Sequence, residues 1–136
     1  MRTRRDSGFT LIELLLVLVI LALLAAVVVP KFTNRSEQAR ITAAKADIAG
    51  LGTALDAYEI DNGRYPTTEE GLQALITPPP SAQPDKGNWP YLKKPVINDP
   101  WGNPYVYRYP GQGGPNTYDL YSLGPDGREG NDDVMP

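Results

Sequence analysis

The chain of 136 residues contains no cysteine and no histidine. Structural zinc sites are built from these two residue types, so the composition argues against a zinc centre. Nucleophilic sites of the Cys–His and Ser–His kinds are excluded for the same reason. Since no disulfide can form, a small exported domain of this composition must be held together by packing or by a hard metal ion.

Positive charge is scarce after the first eight residues. Arg2, Arg4 and Arg5 outnumber Asp6, so residues 1–8 carry a net charge of +2. Because the whole chain carries −3, the remainder is acidic, with a net charge of −5. The sequence also has no basic patch with interleaved aromatic residues, which is typical of nucleic-acid-binding proteins. We therefore expect no nucleic-acid partner.

Charge is almost absent from residues 9–29, where Glu13 is the single charged residue. A helix of about 21 residues rises roughly 30 Å, the thickness of the hydrocarbon core of a bilayer. The segment predicts a transmembrane helix whose basic flank stays in the cytoplasm, with the rest of the chain on the far side. The alternative is a secretory signal peptide cut near Ala25 or Ala26, although the apolar run is long for such a signal.

A second apolar pattern follows the first and has the period of a helix. Its residues recur at steps of three and four: Ile41, Ala44, Ile48, Leu51, Leu55 and Tyr58. Asn62-Gly63 supplies a stop signal. The patterns together predict one long helix from Phe9 to about Asp61. Pro30 interrupts it, either as a simple kink at the membrane edge or as a point where the helix can bend or melt.

The rest of the chain predicts short elements. Thr67 and Glu70 have the spacing of a capping box and predict a short helix over residues 68–76. Strand-like stretches at 105–109 and 118–123, separated by a Gly/Pro-rich turn, predict a β-hairpin on which the long helix could lie. The predicted fold class is α+β. A long N-terminal helix, transmembrane in its first half and amphipathic in its second, packs on a small antiparallel sheet with a C-terminal loop.

The C-terminal loop is acidic and rich in glycine. Asp126, Asp132 and Asp133 would repel one another unless a positive group lies among them. Calcium suits such a loop, because it accepts carboxylate and carbonyl oxygens in flexible geometry. The spacing is not that of an EF-hand. From the residues alone, a solvated loop without an ion remains the alternative.

The segment SGFTLIELLLVLVILALLAAVVVP resembles the N-terminus of type IV pilin-like proteins. The resemblance implies that a prepilin peptidase cleaves between Gly8 and Phe9 and methylates the new amine of Phe9. Three regions follow: a leader (1–8), a transmembrane and assembly helix that is retained (9–29), and a periplasmic pilin-like domain (30–136).

Cleavage would give Glu13 a partner. Helices stacked with an axial shift can bring Glu13 of one subunit beside the Phe9 amine of another, and pairing reduces the cost of burying a carboxylate. Glu13 is therefore a predicted assembly residue. Pro30, where the helix can bend or melt, is the second. A carboxylate that reaches the membrane interface is the alternative for Glu13.

Further motifs, spread over nearly the whole chain, resemble the major pseudopilins of type II (general) secretion systems: KFTNRSEQAR, YEIDNGRYPTTEEGLQAL, YLKKP, DPWGNPYVY and YDLYSLGPDGREG. That family implies a structural subunit, not an enzyme, that polymerises into a helical periplasmic filament based in the inner membrane and supports export of folded proteins across the outer membrane. The implied partners are further copies of the chain, minor pseudopilins, an inner-membrane assembly platform, the prepilin peptidase and, before assembly, the lipid bilayer.

Two other functions are alternatives. A type IV or competence pilus subunit is the alternative within the filament class, although many such pilins carry a C-terminal disulfide that this chain lacks. A membrane-anchored enzyme using Glu69 and Glu70 as paired carboxylates is the third. Adjacent residues on a helix do not face each other, which argues against that pair.

The pseudopilin resemblance also implies structural calcium in the C-terminal loop. The implied ligands are the Leu123 carbonyl and the side chains of Asp126, Asp132 and Asp133. Because the stretch after Asp126 is short, which of Asp132 and Asp133 coordinates stays open.

Overall fold

The computed structural model describes residues 8–83, 85, 87–95 and 98–136, and the side chains of these residues except at 28–34. The chain divides into two compact units, Met1–Gln38 and Ala39–Pro136. Each is described by itself below.

The α-helix α1 spans Leu11–Asn62 and contributes residues to both units. Its bounds agree with the predicted long helix to within two residues. Pro30 lies within these bounds, but its side chain, like those at 28 and 29, is outside the described ones. Among the described residues, no helix combines the length and apolar character needed to cross a membrane.

In the second unit, α1 buries the predicted apolar stripe. Ala44, Ile48, Leu51, Leu55 and Tyr58 are each at most 2% exposed, and Ile41 packs at the edge of the core. The helical period is confirmed, because one face of this part of α1 supplies the core.

The helix ends at the signal in its sequence. Gly63 has φ +75°, and its N–H donates to the Glu59 carbonyl at 2.7 Å. A left-handed residue with this bond is typical of a glycine that closes a helix C-terminus. Residues with a side chain adopt this conformation at a cost, so the chain turns where glycine stands.

The predicted hairpin is confirmed, with shorter strands. β1 (Val106–Arg108) pairs antiparallel with β2 (Asp119–Tyr121), and Tyr107 lies opposite Leu120. Both of these side chains join the core formed with α1, at 8% and 3% exposure. The second unit is therefore a helix packed on a two-stranded sheet, as the α+β prediction required.

The predicted helix over residues 68–76 is wrong in extent and type. The capping box forms, since the Glu70 N–H donates to Thr67 Oγ1 at 3.2 Å and the Thr67 N–H donates to Glu70 Oε2 at 2.8 Å. The turn it starts does not propagate, because Gly71 has φ +60° and ψ −167°, outside the helical region. Only a 3-10 helix follows, Leu72–Leu75.

Buried and partly buried hydrogen bonds connect the loops of the second unit to its core. Tyr107 donates to the Pro66 carbonyl at 2.7 Å, Trp89 Nε1 donates to the Ala74 carbonyl at 2.7 Å, and Tyr105 donates to Asp47 Oδ2 at 2.9 Å. Burial, followed by the bond to Asp47, raises the pKa of the Tyr105 hydroxyl. Hydrogen-bonded aromatic side chains thus connect the loops to one another and, through Tyr105, to α1 in a domain without disulfides.

Candidate functional site

The predicted processing site lies before the first turn of α1. Gly8 and Phe9 precede the helix in non-helical backbone, and the Phe9 side chain is 80% exposed. A peptidase needs extended, accessible backbone, which a hydrogen-bonded helix does not provide. The position suits cleavage between Gly8 and Phe9, which stays a prediction.

Thr10 caps the helix that begins after it. Its carbonyl accepts the N–H groups of Glu13 at 3.1 Å and Leu14 at 3.3 Å, and its Oγ1 accepts the Glu13 N–H at 3.3 Å. Glu13 therefore stands at the third helical position, where a negative charge interacts favourably with the helix dipole. The Thr-x-x-Glu spacing of a capping box was present in the sequence and was overlooked there.

Residues Phe9 to Val27 present a large apolar surface in the isolated chain. Every Phe, Leu, Ile and Val side chain in this range is between 48% and 80% exposed. A continuous apolar surface of this kind marks a membrane or protein interface rather than a surface left to water.

The acidic loop, residues 123–133, is closed at its base. Ser122 and Val134 exchange two backbone hydrogen bonds, at 3.1 and 3.0 Å. Next to this bridge Gly124 has φ +67°, and a Cβ placed on it would lie 2.5 Å from the Asp132 carbonyl oxygen. The structure therefore brings the Leu123–Gly124 end of the loop against the Asp132–Asp133 end.

The three predicted carboxylate ligands differ in their surroundings. Asp126 Oδ1 accepts the Arg128 N–H at 2.9 Å, and Asp133 Oδ2 accepts the Gly130 N–H at 3.2 Å. Asp133 Oδ1 is buried and has no hydrogen-bond partner among the described residues. In the described part of the chain, no three acidic side chains lie close enough together to hold a metal ion.

The donor chemistry of this loop fits a hard cation in one respect. A buried carboxylate oxygen without a hydrogen-bond donor is unfavourable. A hard cation, which prefers oxygen ligands, would bind such an oxygen and compensate for the missing donor. The closed base places Asp132 and Asp133 beside the loop end that holds Leu123. Among the described residues, Asp126, Asp132 and Asp133 do not form a group of three that could hold a metal ion.

Sequence reasoning missed the residues that anchor this loop. Asp99, treated only as part of a turn, is 5% exposed and accepts a hydrogen bond from Ser122 Oγ at 2.5 Å. Asn103 Nδ2 donates to the Gly124 carbonyl at 3.1 Å. The sole sequence signal was the turn motif DPWGNP, whose Asp and Asn are ordinary turn formers.

The carboxylate pair of the enzyme alternative has another explanation. Glu70 accepts hydrogen bonds from both terminal nitrogens of Arg64, from the Thr67 N–H and from Ser81 Oγ. The Arg64 hydrogen bonds, with help from Ser81 and Thr67, lower the pKa of Glu70 to about 2. Both of its oxygens are committed to a structural network, and the adjacent Glu69 is exposed.

Two family models match the chain, one after the other. The model described as "Prokaryotic N-terminal methylation motif" matches residues 3–29, and the model described as "Type II secretion system (T2SS), protein G" matches residues 31–135. The chain belongs to the type II secretion system protein G family. The second match covers most of the chain, including the sheet and the acidic loop.

Relatives in this family are similar over nearly their whole length. The type II secretion system core protein G of Pseudomonas aeruginosa is 52% identical, over 98% of this chain and 93% of that protein. The core protein G of Vibrio cholerae is 45% identical, over 95% of this chain and 87% of that protein.

A solved structure agrees in fold. The crystal structure of the major pseudopilin from the type 2 secretion system of enterohaemorrhagic Escherichia coli superposes with a TM-score of 0.61 at 37% identity. It covers 74% of this chain and 85% of that one. The pilin-like fold is therefore confirmed. The chain is a major pseudopilin-type component of a type II secretion system, and the type IV or competence pilus alternative is not favoured.

Proposed function

We propose that this chain polymerises through the helix of residues 9–29 into a helical pseudopilus, anchored in the inner membrane and extending into the periplasm. The filament would support export of folded proteins across the outer membrane, and the chain itself would not be an enzyme. The observation that carries this proposal is the apolar surface from Phe9 to Val27, which a single copy leaves exposed. Neighbouring copies would cover it in a filament, as lipid would before assembly.

Processing precedes assembly in this proposal. A prepilin peptidase cuts between Gly8 and Phe9 on the cytoplasmic side and methylates Phe9, and the match to an N-terminal methylation motif supports this step. The basic residues of the leader hold the N-terminus in the cytoplasm and place the second unit in the periplasm. Minor pseudopilins and an inner-membrane platform would complete the machine.

Glu13 would select the register of assembly. Its N–H is already bonded to Thr10, while its side chain is exposed on the apolar segment. A carboxylate without a partner in lipid is costly, by about 3 kcal/mol on insertion scales. Pairing with the Phe9 amine of a neighbouring copy would remove that penalty, and only one axial offset between the two helices brings these groups together.

A charge-neutral variant tests this proposal. Glu13→Gln keeps the size and the cap and removes the charge, so we expect processed, membrane-inserted protein that yields few filaments in sheared membrane fractions. Glu69→Gln, an exposed acid in the second unit, is the matched control and should assemble normally. Mass spectrometry of the N-terminus separates a processing defect from an assembly defect. Wild-type filament yield from processed Glu13→Gln protein would refute the pairing.

We also propose that the acidic loop holds structural calcium. The Leu123 carbonyl, Asp126 and one or both of Asp132 and Asp133 would bind the ion, whose positive charge would relieve repulsion among the acids. Two observations support this site: Asp133 Oδ1 is buried without a hydrogen-bond partner among the residues that the structure describes, and the base of the loop is closed. A bound ion would stabilise a loop that has neither a disulfide nor a large core of its own.

Thermal unfolding of the full chain in detergent tests the ion. Calcium at 100 times its Kd would add about 2.7 kcal/mol to the free energy of unfolding, so the melting temperature should fall when a chelator is added. Asp126→Ala should show the lower melting temperature with or without calcium. An unchanged melting temperature at millimolar calcium would remove the proposed site.

A further inference from the structure

The turn at residues 99–103 and the end of β2 share one buried hydrogen-bond network. Asp99 is 5% exposed and Ser122 is fully buried. Asp99 Oδ1 accepts the N–H groups of Trp101 at 3.1 Å and Asn103 at 2.8 Å, while Asp99 Oδ2 accepts the Ser122 hydroxyl at 2.5 Å. One carboxylate thus shapes its own turn with one oxygen and reaches another segment with the other.

The network continues into the first residues of the acidic loop. Ser122 Oγ accepts the Gly124 N–H at 3.1 Å, and Asn103 Nδ2 donates to the Gly124 carbonyl at 3.1 Å. The Asn103 side chain also lies against Gly127, where an added Cβ would be 3.0 Å from Asn103 Oδ1. The N–H of Gly124 is therefore bonded to Ser122, and its carbonyl is bonded to Asn103. Asp99 in turn accepts hydrogen bonds from both of these residues.

The direction of these bonds is determined by their donors. A hydroxyl has a single proton, and a backbone N–H can only donate. Since Gly124 donates to Ser122 Oγ, the Ser122 proton is free to point at Asp99, which can accept it. The carboxylate thereby keeps a lone pair of Ser122 facing the loop.

We propose that Asp99 is a positioning residue for the acidic loop, which it orders through Ser122 before any ion is present. Asp99 need not touch the ion for this role. Its effect on ion binding rests on the calcium site proposed above: a loop already held at Gly124 has less conformational entropy to lose when its carboxylates close on a cation. Outer residues that orient ligands typically change metal affinity by 10- to 100-fold when they are substituted.

Two variants separate this role from general stability. Asp99→Asn keeps an oxygen for the N–H groups of the turn but presents an NH₂ group to Ser122, which reverses the required polarity. Ser122→Ala leaves the turn at residues 99–103 intact and removes the hydroxyl that connects Asp99 to Gly124. Asp61→Asn is the matched control, because Asp61 Oδ2 accepts from Tyr91 and Asn88 elsewhere in the same unit.

The first measurement is hydrogen exchange of the full chain in detergent with chelator present. We expect the Gly124 and Arg128 amides to exchange at least tenfold faster in Asp99→Asn and Ser122→Ala, with no change there in Asp61→Asn. Wild-type exchange of these amides in both variants, in protein whose circular dichroism is that of the wild type, would overturn the proposal.

The second measurement is titration of the same proteins with calcium chloride. We expect Kd to rise by about 10- to 100-fold in both loop variants and to stay unchanged in Asp61→Asn. An unchanged Kd in the loop variants would overturn the role of Asp99 in ion binding. If wild-type protein binds no calcium, the calcium site fails, and the exchange rates without ion still decide whether Asp99 orders the loop.

Discussion

Arg64 donates hydrogen bonds from both terminal nitrogens to the Glu70 carboxylate, at 2.8 and 2.9 Å. Arg64 directly follows the glycine that ends α1, and Glu70 closes the capping box with Thr67. The ion pair therefore joins the end of the helix to the turn that leaves it. A paired arrangement with two parallel bonds is the strongest form of Arg–carboxylate contact.

Glu70→Gln should lower the free energy of unfolding at pH 7 by about 2 kcal/mol, less than the full pKa shift implies because Arg64 is a third exposed. The pKa of Glu70 is lowered from 4.5 to about 2, so the stabilisation is present above pH 4.5 and is lost as the pH falls through 2. Urea unfolding from pH 7 to pH 2 checks this, with Glu69→Gln as the control. A difference of equal size at pH 7 and pH 2 would show that the charge of Glu70 is not the cause.

Thr10→Ala should loosen the first turn of α1. Losing a threonine cap typically costs about 1 kcal/mol, which corresponds to roughly fivefold faster opening. Hydrogen exchange of the Glu13 and Leu14 amides in the full chain measures it, and Thr10→Ser, which keeps the acceptor, should exchange as the wild type does. Equal exchange in the Ala and Ser variants would mean that the carbonyl of Thr10 alone holds the turn.

Gly124→Ala should destabilise the second unit more than Gly63→Ala does. Both glycines have positive φ, +67° and +75°, so alanine is strained at either site by about 1–2 kcal/mol. A Cβ on Gly63 meets nothing within 4 Å, whereas on Gly124 it lies 2.5 Å from the Asp132 carbonyl. Urea unfolding of the two variants isolates the contact at the base of the loop, and equal losses would show that this base is not tightly closed.

Tyr107→Phe should destabilise the second unit and Tyr58→Phe should not, although both tyrosines are buried. The Tyr107 hydroxyl donates to the Pro66 carbonyl, so its removal leaves a buried acceptor and should cost about 1–3 kcal/mol. The Tyr58 hydroxyl has no hydrogen-bond partner among the described residues, so its removal should be neutral or stabilising. Thermal unfolding measures both, and a loss above 1 kcal/mol for Tyr58→Phe would reveal a bound partner for that hydroxyl.

Local patterns predicted the elements of this fold well. The steps of three and four from Ile41 to Tyr58 identified the buried face of α1, because helical geometry repeats over those distances. Gly63 identified the end of the helix, since few other residues adopt its φ. The capping box of Thr67 and Glu70 was also correct, but the helix predicted from it was not, because Gly71, the residue after Glu70, leaves the helical region.

Contacts between distant segments were not readable from the sequence. Asp99 and Ser122 are 23 residues apart along the chain, and each belongs to a residue type that is common in turns and on surfaces. The hairpin brings them together and buries them, and only then does the Asp99 carboxylate acquire three donors.

The sequence by itself determined the long apolar segment, the match to an N-terminal methylation motif, the amphipathic stripe and the hairpin. Each of these features depends on residues that are close in the sequence, either through helix and strand periodicity or through a contiguous motif. Only the tertiary structure decided that the acidic loop closes at Gly124 and Asp132 and that Asp99 bonds to Ser122 from another turn. The same holds for the buried Asp133 oxygen, which has no donor among the described residues. These features depend on contacts between groups that are distant in the sequence, and no local sequence pattern specifies such contacts.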